Sequence, residues 1–340
     1  MSVNFDLSAT NLPAVKRLLE GRLQAAIRLH GTTSQTLASA ASEVFPQSIT
    51  LLRAKDTTRI VYLCPMGLKL AKIWQMSAMD IATKIAADLS QIAAGDAGRL
   101  DFTVQAVPPG WIHLQLTNAG LANWLQRLTQ GIDSLQLKEY LWQRGGEGEK
   151  EQPASIILSK AGIGIAGEKG KHKTDVLQNP VYPSKSLFLV QYAHARCCSL
   201  LRLAHLDGTI ILSDPHPELC SPFWHLLAPN PIPWLNSEVF PSSPLRLVHP
   251  AEWGLISQLV DTLDALSLPP AAHRLTEWLK LATALSTAFE SFYSACRLWG
   301  EVKTETPQLA QARLGLIKAT QSVLRLILQD LFGVSAPVEL

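Results

Sequence analysis

Two stretches near the end of the chain repeat apolar residues at helical spacing for longer than any strand could use. In residues 272–299 the positions Leu275, Trp278, Leu279, Ala282, Leu285, Phe289, Phe292, Tyr293 and Cys296 follow the i, i+3, i+4, i+7 rule of a core-facing helix. Residues 307–332 do the same with Leu309, Leu316, Ile317, Leu324, Ile327, Leu328 and Leu331, and Gly333 supplies a stop. Residues 186–206 and 251–267 read as two further helices. Between them, residues 207–250 hold nine of the chain's 21 prolines, which excludes a long helix there. Stripes of this kind must be buried on one another, so the C-terminal half is a helix bundle.

The first 130 residues are patterned differently. Residues 12–29 carry a helical stripe of Leu12, Val15, Leu18, Leu19, Leu23, Ala26 and Ile27. "SITLLRAKDTTRIVYLCP" reads as two strands around a Lys-Asp-Thr-Thr turn, and "LDFTVQAVPPGWIHLQLT" as two strands around Pro108-Pro109-Gly110. Between these pairs lie two helices, with Ser77 a good N-cap for the second. A short helix follows at 118–130. The fold class expected is an α+β N-terminal domain followed by an all-α helix bundle. The domain boundaries expected are 1–130, a linker at 131–178, and a bundle at 179–340 with a Pro-rich insert at about 207–250.

Gly162, Gly164 and Gly167 spell a G-x-G-x-x-G that raises the question of a nucleotide site. A phosphate loop needs a helix to begin at once, so that free amides meet the anion. The residues that follow, "EKGKHKTDVLQNP", have no apolar repeat, and Glu168 stands where a P-loop requires lysine. Residues 144–175 are rich in Gly, Lys and Glu, as solvated linkers are. The glycines therefore read as a turn in a connector.

Net charge is +2, spread unevenly: residues 1–130 carry 12 Lys and Arg against 8 Asp and Glu, and residues 181–340 carry 11 against 13. Any polyanion site is a local patch. The five cysteines, Cys64, Cys197, Cys198, Cys220 and Cys296, form no C-x-x-C pair and fit reduced thiols in a cytoplasmic protein. No uncharged apolar run approaches about 18 residues, so no membrane span is expected. The early Asp6 and the lack of an apolar h-region argue against a signal peptide. His194 and Cys198 are i, i+4 but have no further ligands near them in sequence, and no metal or other cofactor is expected. Asp261 and Asp264 read as a solvated helix face.

The segment "VQYAHARCCSLLRLA", residues 190–204, resembles the first helix of the DALR anticodon-binding domain of arginyl-tRNA synthetases. "NPVY" at 179–182, "HRLTEWLKLATALSTAFESFYSAC" at 273–296 and "ARLGLIKATQSVLRLILQDLFGVSAPVEL" at 312–340 are similar to that domain's other conserved stretches in the same order. "PMGLKLAKIWQMSAMDIATKIAADL" at 65–89 and "VPPGWIHLQLTNAGLANWLQRL" at 107–128 resemble the same enzymes' N-terminal additional domain. Between such halves a synthetase carries a catalytic Rossmann domain with His-x-Gly-His and Lys-Met-Ser-Lys-type loops. Neither signature occurs here, and the connector is shorter than an ordinary domain.

The resemblance implies a non-catalytic synthetase paralogue that binds tRNA, arginine-accepting tRNA above all, by its elbow and anticodon arm. It places Trp111 and His113 where the family reads a D-loop base. A histidine stands where the family has asparagine, and the alternative for Trp111 is core packing of a strand. Gln191, Tyr192, His194 and Arg196 carry the anticodon-helix motif. Tyr192 and Arg196 share a helix face while His194 points elsewhere. The alternative for Arg196 is an interior ion pair. Leu189 replaces a family tyrosine, and Leu340 replaces a terminal methionine that packs on an anticodon base. Phe223, Trp224, Trp234 and Phe240 in the insert 220–241 fit either a rigid cap on the bundle or a protein-docking loop. The competing class of function is a protein-interaction scaffold that has lost RNA.

Overall fold

The computed structural model describes residues 14–31, 49–56, 58–95, 100–130, 184–213, 224–236, 243–267 and 274–340. The glycine-rich connector, Cys220, Phe223 and Phe240 lie outside the described residues. The chain groups into two compact units. One holds residues 13–125 with Trp234–Trp253, and the other holds 126–233 with Gly254–Leu340. The second half of the proline-rich insert thus groups with the N-terminal unit, where the sequence placed all of 179–340 together.

The first unit opens with α1 (Val15–Gly31), whose Val15, Leu19, Leu23, Ala26 and Ile27 are fully buried. A four-stranded antiparallel sheet follows, built from β1 (Leu52–Arg53), β2 (Val61–Cys64), β3 (Phe102–Val107) and β4 (Trp111–Leu116) in the order β1-β2-β4-β3. The β1–β2 turn closes where Asp56 accepts hydrogen bonds from the Thr58 amide at 2.8 Å and hydroxyl at 2.7 Å. On β4 the alternation is strict. Ile112, Leu114 and Leu116 are buried, while Trp111, His113 and Gln115 share the opposite, half-buried face.

Two helices, α2 (Met66–Trp74) and α3 (Ala78–Gly95), lie between the strand pairs, and α3 packs on β3. Three backbones meet there. A Cβ at Gly67 would lie 2.5 Å from the carbonyl oxygens of Ala78 and Gly110, and one at Gly110 would lie 2.7 Å from Ala78 Cβ. Gly110 also sits at φ +140°, so both conformation and space require glycine in the turn before Trp111. The Oγ of Ser77 accepts the Asp80 amide at 3.1 Å, capping α3. Ser77→Ala is expected to cost about 1 kcal/mol, measurable as a lower thermal midpoint with unchanged helix content. Helix α4 (Asn118–Thr129) completes the order, and its Asn118 amide donates to the Ser243 carbonyl at 3.2 Å, tying in the insert segment that groups here.

The second unit is helical. Its central helix, α5 (Ser184–Leu206), packs on α7 (Arg274–Ala295) and α9 (Pro307–Arg325). Helix α6 spans Pro250–Leu266 and α8 spans Glu301–Glu305. The insert contains no helix among its described residues. It forms a short antiparallel pair, β5 (Ile211–Leu212) with β6 (Leu226–Ala228), and an isolated bridge between Leu235 and Leu245.

Two expectations need correction. Asp261 is exposed on α6 as expected, but Asp264 one turn later is buried. In α9 every residue from Leu314 to Leu324 is buried, including Lys318, Thr320, Gln321 and Ser322. The stripe marked where α9 is apolar, but its other face is enclosed as well. After Arg325 the helix widens into a π-helical turn, Leu326–Leu331. It ends with the Phe332 amide on the Ile327 carbonyl at 2.9 Å and Gly333 at φ +63°.

Candidate functional site

Helix α5 presents two faces of different chemistry. On the outer face Phe188 is 56% exposed and Tyr192 44% exposed, four residues apart, with ring centroids 6.4 Å apart and planes 27° from parallel. One turn further on, Arg196 is half-buried. Its guanidinium donates to the Tyr293 hydroxyl at 2.6 Å and lies 4.9 Å from the centre of that ring. Tyr293 is itself stacked on the buried Phe289, one turn earlier on α7. The cation is thus positioned by an aromatic, not by the interior carboxylate that the alternative reading required. It stands beside two exposed rings, a combination suited to flat, anionic ligands.

The inner face of α5 holds the C-terminal tail. Gln191 Nε2 donates to the Ser335 carbonyl at 2.9 Å. His194 Nδ1 lies 2.9 Å from the Pro337 carbonyl. Arg202 reaches the Val338 carbonyl at 3.3 Å and the Glu339 carboxylate. These positions recur every three to eight residues along one side of the helix, so the tail runs up α5 in the direction of the chain. Leu340 ends it, 65% exposed.

A carbonyl can only accept, so His194 Nδ1 carries the proton toward Pro337. Its Nε2 then accepts from Gln321 Nε2 at 3.0 Å, which turns Gln321 Oε1 toward Lys318 Nζ at 2.9 Å. Lys318 also donates to Ser322 Oγ at 3.1 Å. One tautomer satisfies the whole chain. Burial pushes the His194 pKa down to about 4, against the Pro337 bond, which favours the cation. Burial also lowers Lys318 to about 8 and raises the Cys198 thiol to about 12. His194 is 1% exposed. It has no open path to a ligand and serves to hold the tail. Gln191 is half-buried and shares that task.

The helix thus carries exposed Tyr192 and a held Arg196 on one side and the residues 335–339 on the other. Residues 190–340 match the DALR anticodon binding domain. The chain is also similar to three arginine–tRNA ligases. It is 36% identical to that of Moorella thermoacetica over 165 residues, which is 47% of this chain and 22% of the ligase. The ligase of a Synechococcus species is 31% identical over 151 residues, 44% of this chain and 21% of that protein. The ligase of Pelodictyon phaeoclathratiforme is 36% identical over 152 residues, 44% and 22%. The matched part thus spans about a fifth of each relative's length. No solved structure matches the chain.

In the first unit, Trp111 and His113 stand on the half-buried face of the sheet, with Leu63 and Gln105 paired on either side of His113. Core packing of β4 is carried by Ile112, Leu114 and Leu116 on the other face, so Trp111 is not a core residue. In the insert, Trp224 is 9% exposed, with Arg202 5.9 Å from its ring centre, and Trp234 is 3% exposed. Both described rings are buried: Trp224 lies against Arg202 of the bundle helix α5, whereas Trp234 groups with the N-terminal unit.

Cys64, Cys197, Cys198 and Cys296 are buried. Among the described residues no group of three or more His, Cys, Asp or Glu is placed to hold a metal, and no helix is long and apolar enough to cross a membrane. The sequence reading missed Phe188, Tyr293 as the support for Arg196, and the Lys318–Gln321 chain. Phe188 could have been found from its i, i+4 relation to Tyr192.

Proposed function

We propose that this protein binds tRNA without aminoacylating it, using the α5 face for the anticodon arm and the outer face of the β-sheet for the elbow. The observation that carries the reading is the pairing of the DALR match at 190–340 with Tyr192 exposed and Arg196 held on that same face. Arg196 contacts a phosphate or a base edge. Tyr192 stacks on an unpaired base, and Leu340 offers apolar contact at the end of the tail. Trp111 and His113 offer one stacking group and one hydrogen-bonding group to the elbow. Arginine-accepting tRNA is the first species to test, because the relatives are arginine–tRNA ligases. The non-catalytic part of the proposal rests on the lack of both ATP-binding signatures within these residues. The protein would act as a tRNA-binding cofactor, alone or beside a catalytic partner in the cytoplasm.

Titrating tRNA against the protein at rising salt tests this. Affinity is expected to fall steeply between about 50 and 200 mM, because phosphate contacts release counterions. Arg196→Ala is expected to weaken binding about 10- to 150-fold, from the roughly 1.5–3 kcal/mol of a charged hydrogen bond, and to leave the helical circular-dichroism signal unchanged. Flat, weak binding together with a stoichiometric co-purifying protein would favour the scaffold reading instead, which the net negative charge of residues 181–340 supports.

A further inference from the structure

The exposed face of α5 continues toward its N-terminus before residue 190, where the match to the DALR anticodon binding domain begins. Lys185, Phe188, Tyr192 and Arg196 are spaced three, four and four residues apart, so they form one row along the helix. Lys185, Phe188 and Tyr192 are exposed, and Arg196 is half-buried against Tyr293. The order is cation, ring, ring, cation. At about 1.5 Å per residue the row is about 16 Å long, enough for more than one stacked base. Exposure of Phe188 by itself means little. What is specific is that it stacks on a tyrosine and that the two rings are flanked by two cations, a combination that favours a polyanion with flat groups.

We propose that Phe188 is a base-stacking residue and Lys185 a phosphate contact. Together they extend the α5 site into a track for consecutive unpaired RNA nucleotides. This inference rests on the tRNA-binding reading and adds to it the length and chemistry of the bound segment. Phe188 has no hydrogen-bonding group, and every base has a π-face. This end of the track therefore grips RNA with little regard to base identity, and selectivity among tRNAs comes from other contacts.

The test uses the full chain and two six-nucleotide RNA probes. One is oligouridylate, and the other has the same backbone with its bases removed. Phe188→Ala is expected to weaken binding of the first by about 5- to 160-fold, the range for loss of one base–aromatic stack. It is expected to leave the abasic probe's weaker binding unchanged, and Phe188→Tyr is expected to restore affinity. Lys185→Ala is expected to weaken both probes alike. An unchanged affinity for Phe188→Ala, or an equal loss on the abasic probe, would overturn the stacking role. Wild-type protein that binds intact tRNA but not the hexamer overturns this inference alone. Protein that binds neither overturns the tRNA-binding reading with it.

Discussion

Gly120→Ala is expected to unfold much of the first unit, with a loss of about 3 kcal/mol or more. Gly120 lies in the first turn of α4, where its amide donates to Thr117 Oγ1 at 3.0 Å. Thr117 is in turn anchored to Asp101, through its amide on the carbonyl at 3.2 Å and its hydroxyl on the carboxylate at 2.7 Å. A Cβ at Gly120 would lie 1.9 Å from the Asp101 carbonyl oxygen and 2.8 Å from its carbonyl carbon. The obstacle is backbone, which no rotamer can clear, so the start of β3 must leave α4. The same substitution at Gly254, inside α6, meets nothing within 4 Å. There it is expected to stabilise by up to about 1 kcal/mol, through helix propensity and lower unfolded-state entropy. Thermal unfolding followed by tryptophan fluorescence separates the two. Equal midpoints for the variants would refute the close approach of α4 to β3.

Acidification is expected to destabilise the bundle between about pH 6.5 and pH 4 by up to about 3 kcal/mol. His194 is neutral in the fold, with its pKa lowered by burial from 6.5 to about 4. In that window the unfolded chain takes up a proton that the folded chain refuses, so stability falls as pH falls. Protonation of Nε2 would also set an N–H against the Gln321 amide, whose oxygen is held by Lys318. Hydrogen bonds from Thr58 hold the Asp56 carboxyl below 3.8. At Asp207 burial raises the carboxyl, but the bonds from Thr209, Trp299 and Lys303 outweigh it. Both contribute mainly below about pH 4, and their onset at about pH 5 is common to wild type and the His194 variant. His194→Gln offers an amide donor for Pro337 and an oxygen for Gln321 but does not titrate. It is expected to flatten the slope. Denaturant midpoints at pH 7, 6, 5 and 4 read this directly. Parallel slopes for the two proteins would show that His194 is not the responsive group.

The site was legible in part, and the division follows from distance along the chain. Tyr192 and Arg196 belong to one helix, so their common face follows from 3.6 residues per turn and needs no fold. The partner that holds Arg196, Tyr293, lies 97 residues away, and nothing local reports such a pairing. His194 shows the same limit from the other side. Its residue type fits RNA contact, yet the tail at Pro337, 143 residues on, closes over it.

The sequence alone determined the long helices and the four strands of the N-terminal sheet with their turns, but not the β5–β6 pair, the short α8 or the π-helical turn. Those it determined are each decided by apolar spacing, by caps such as Ser77 and by glycine or proline at fixed offsets, all within reach of one or two turns of chain. Tertiary structure alone decided that α9 is enclosed on all sides from Leu314 to Leu324, that Trp224 and Trp234 lie inside, and that Trp234–Trp253 groups with the N-terminal unit. A stripe states which face must be buried. It cannot state that the opposite face is buried too, because polar residues such as Lys318 and Gln321 can satisfy one another in the interior once a distant histidine completes their hydrogen bonds.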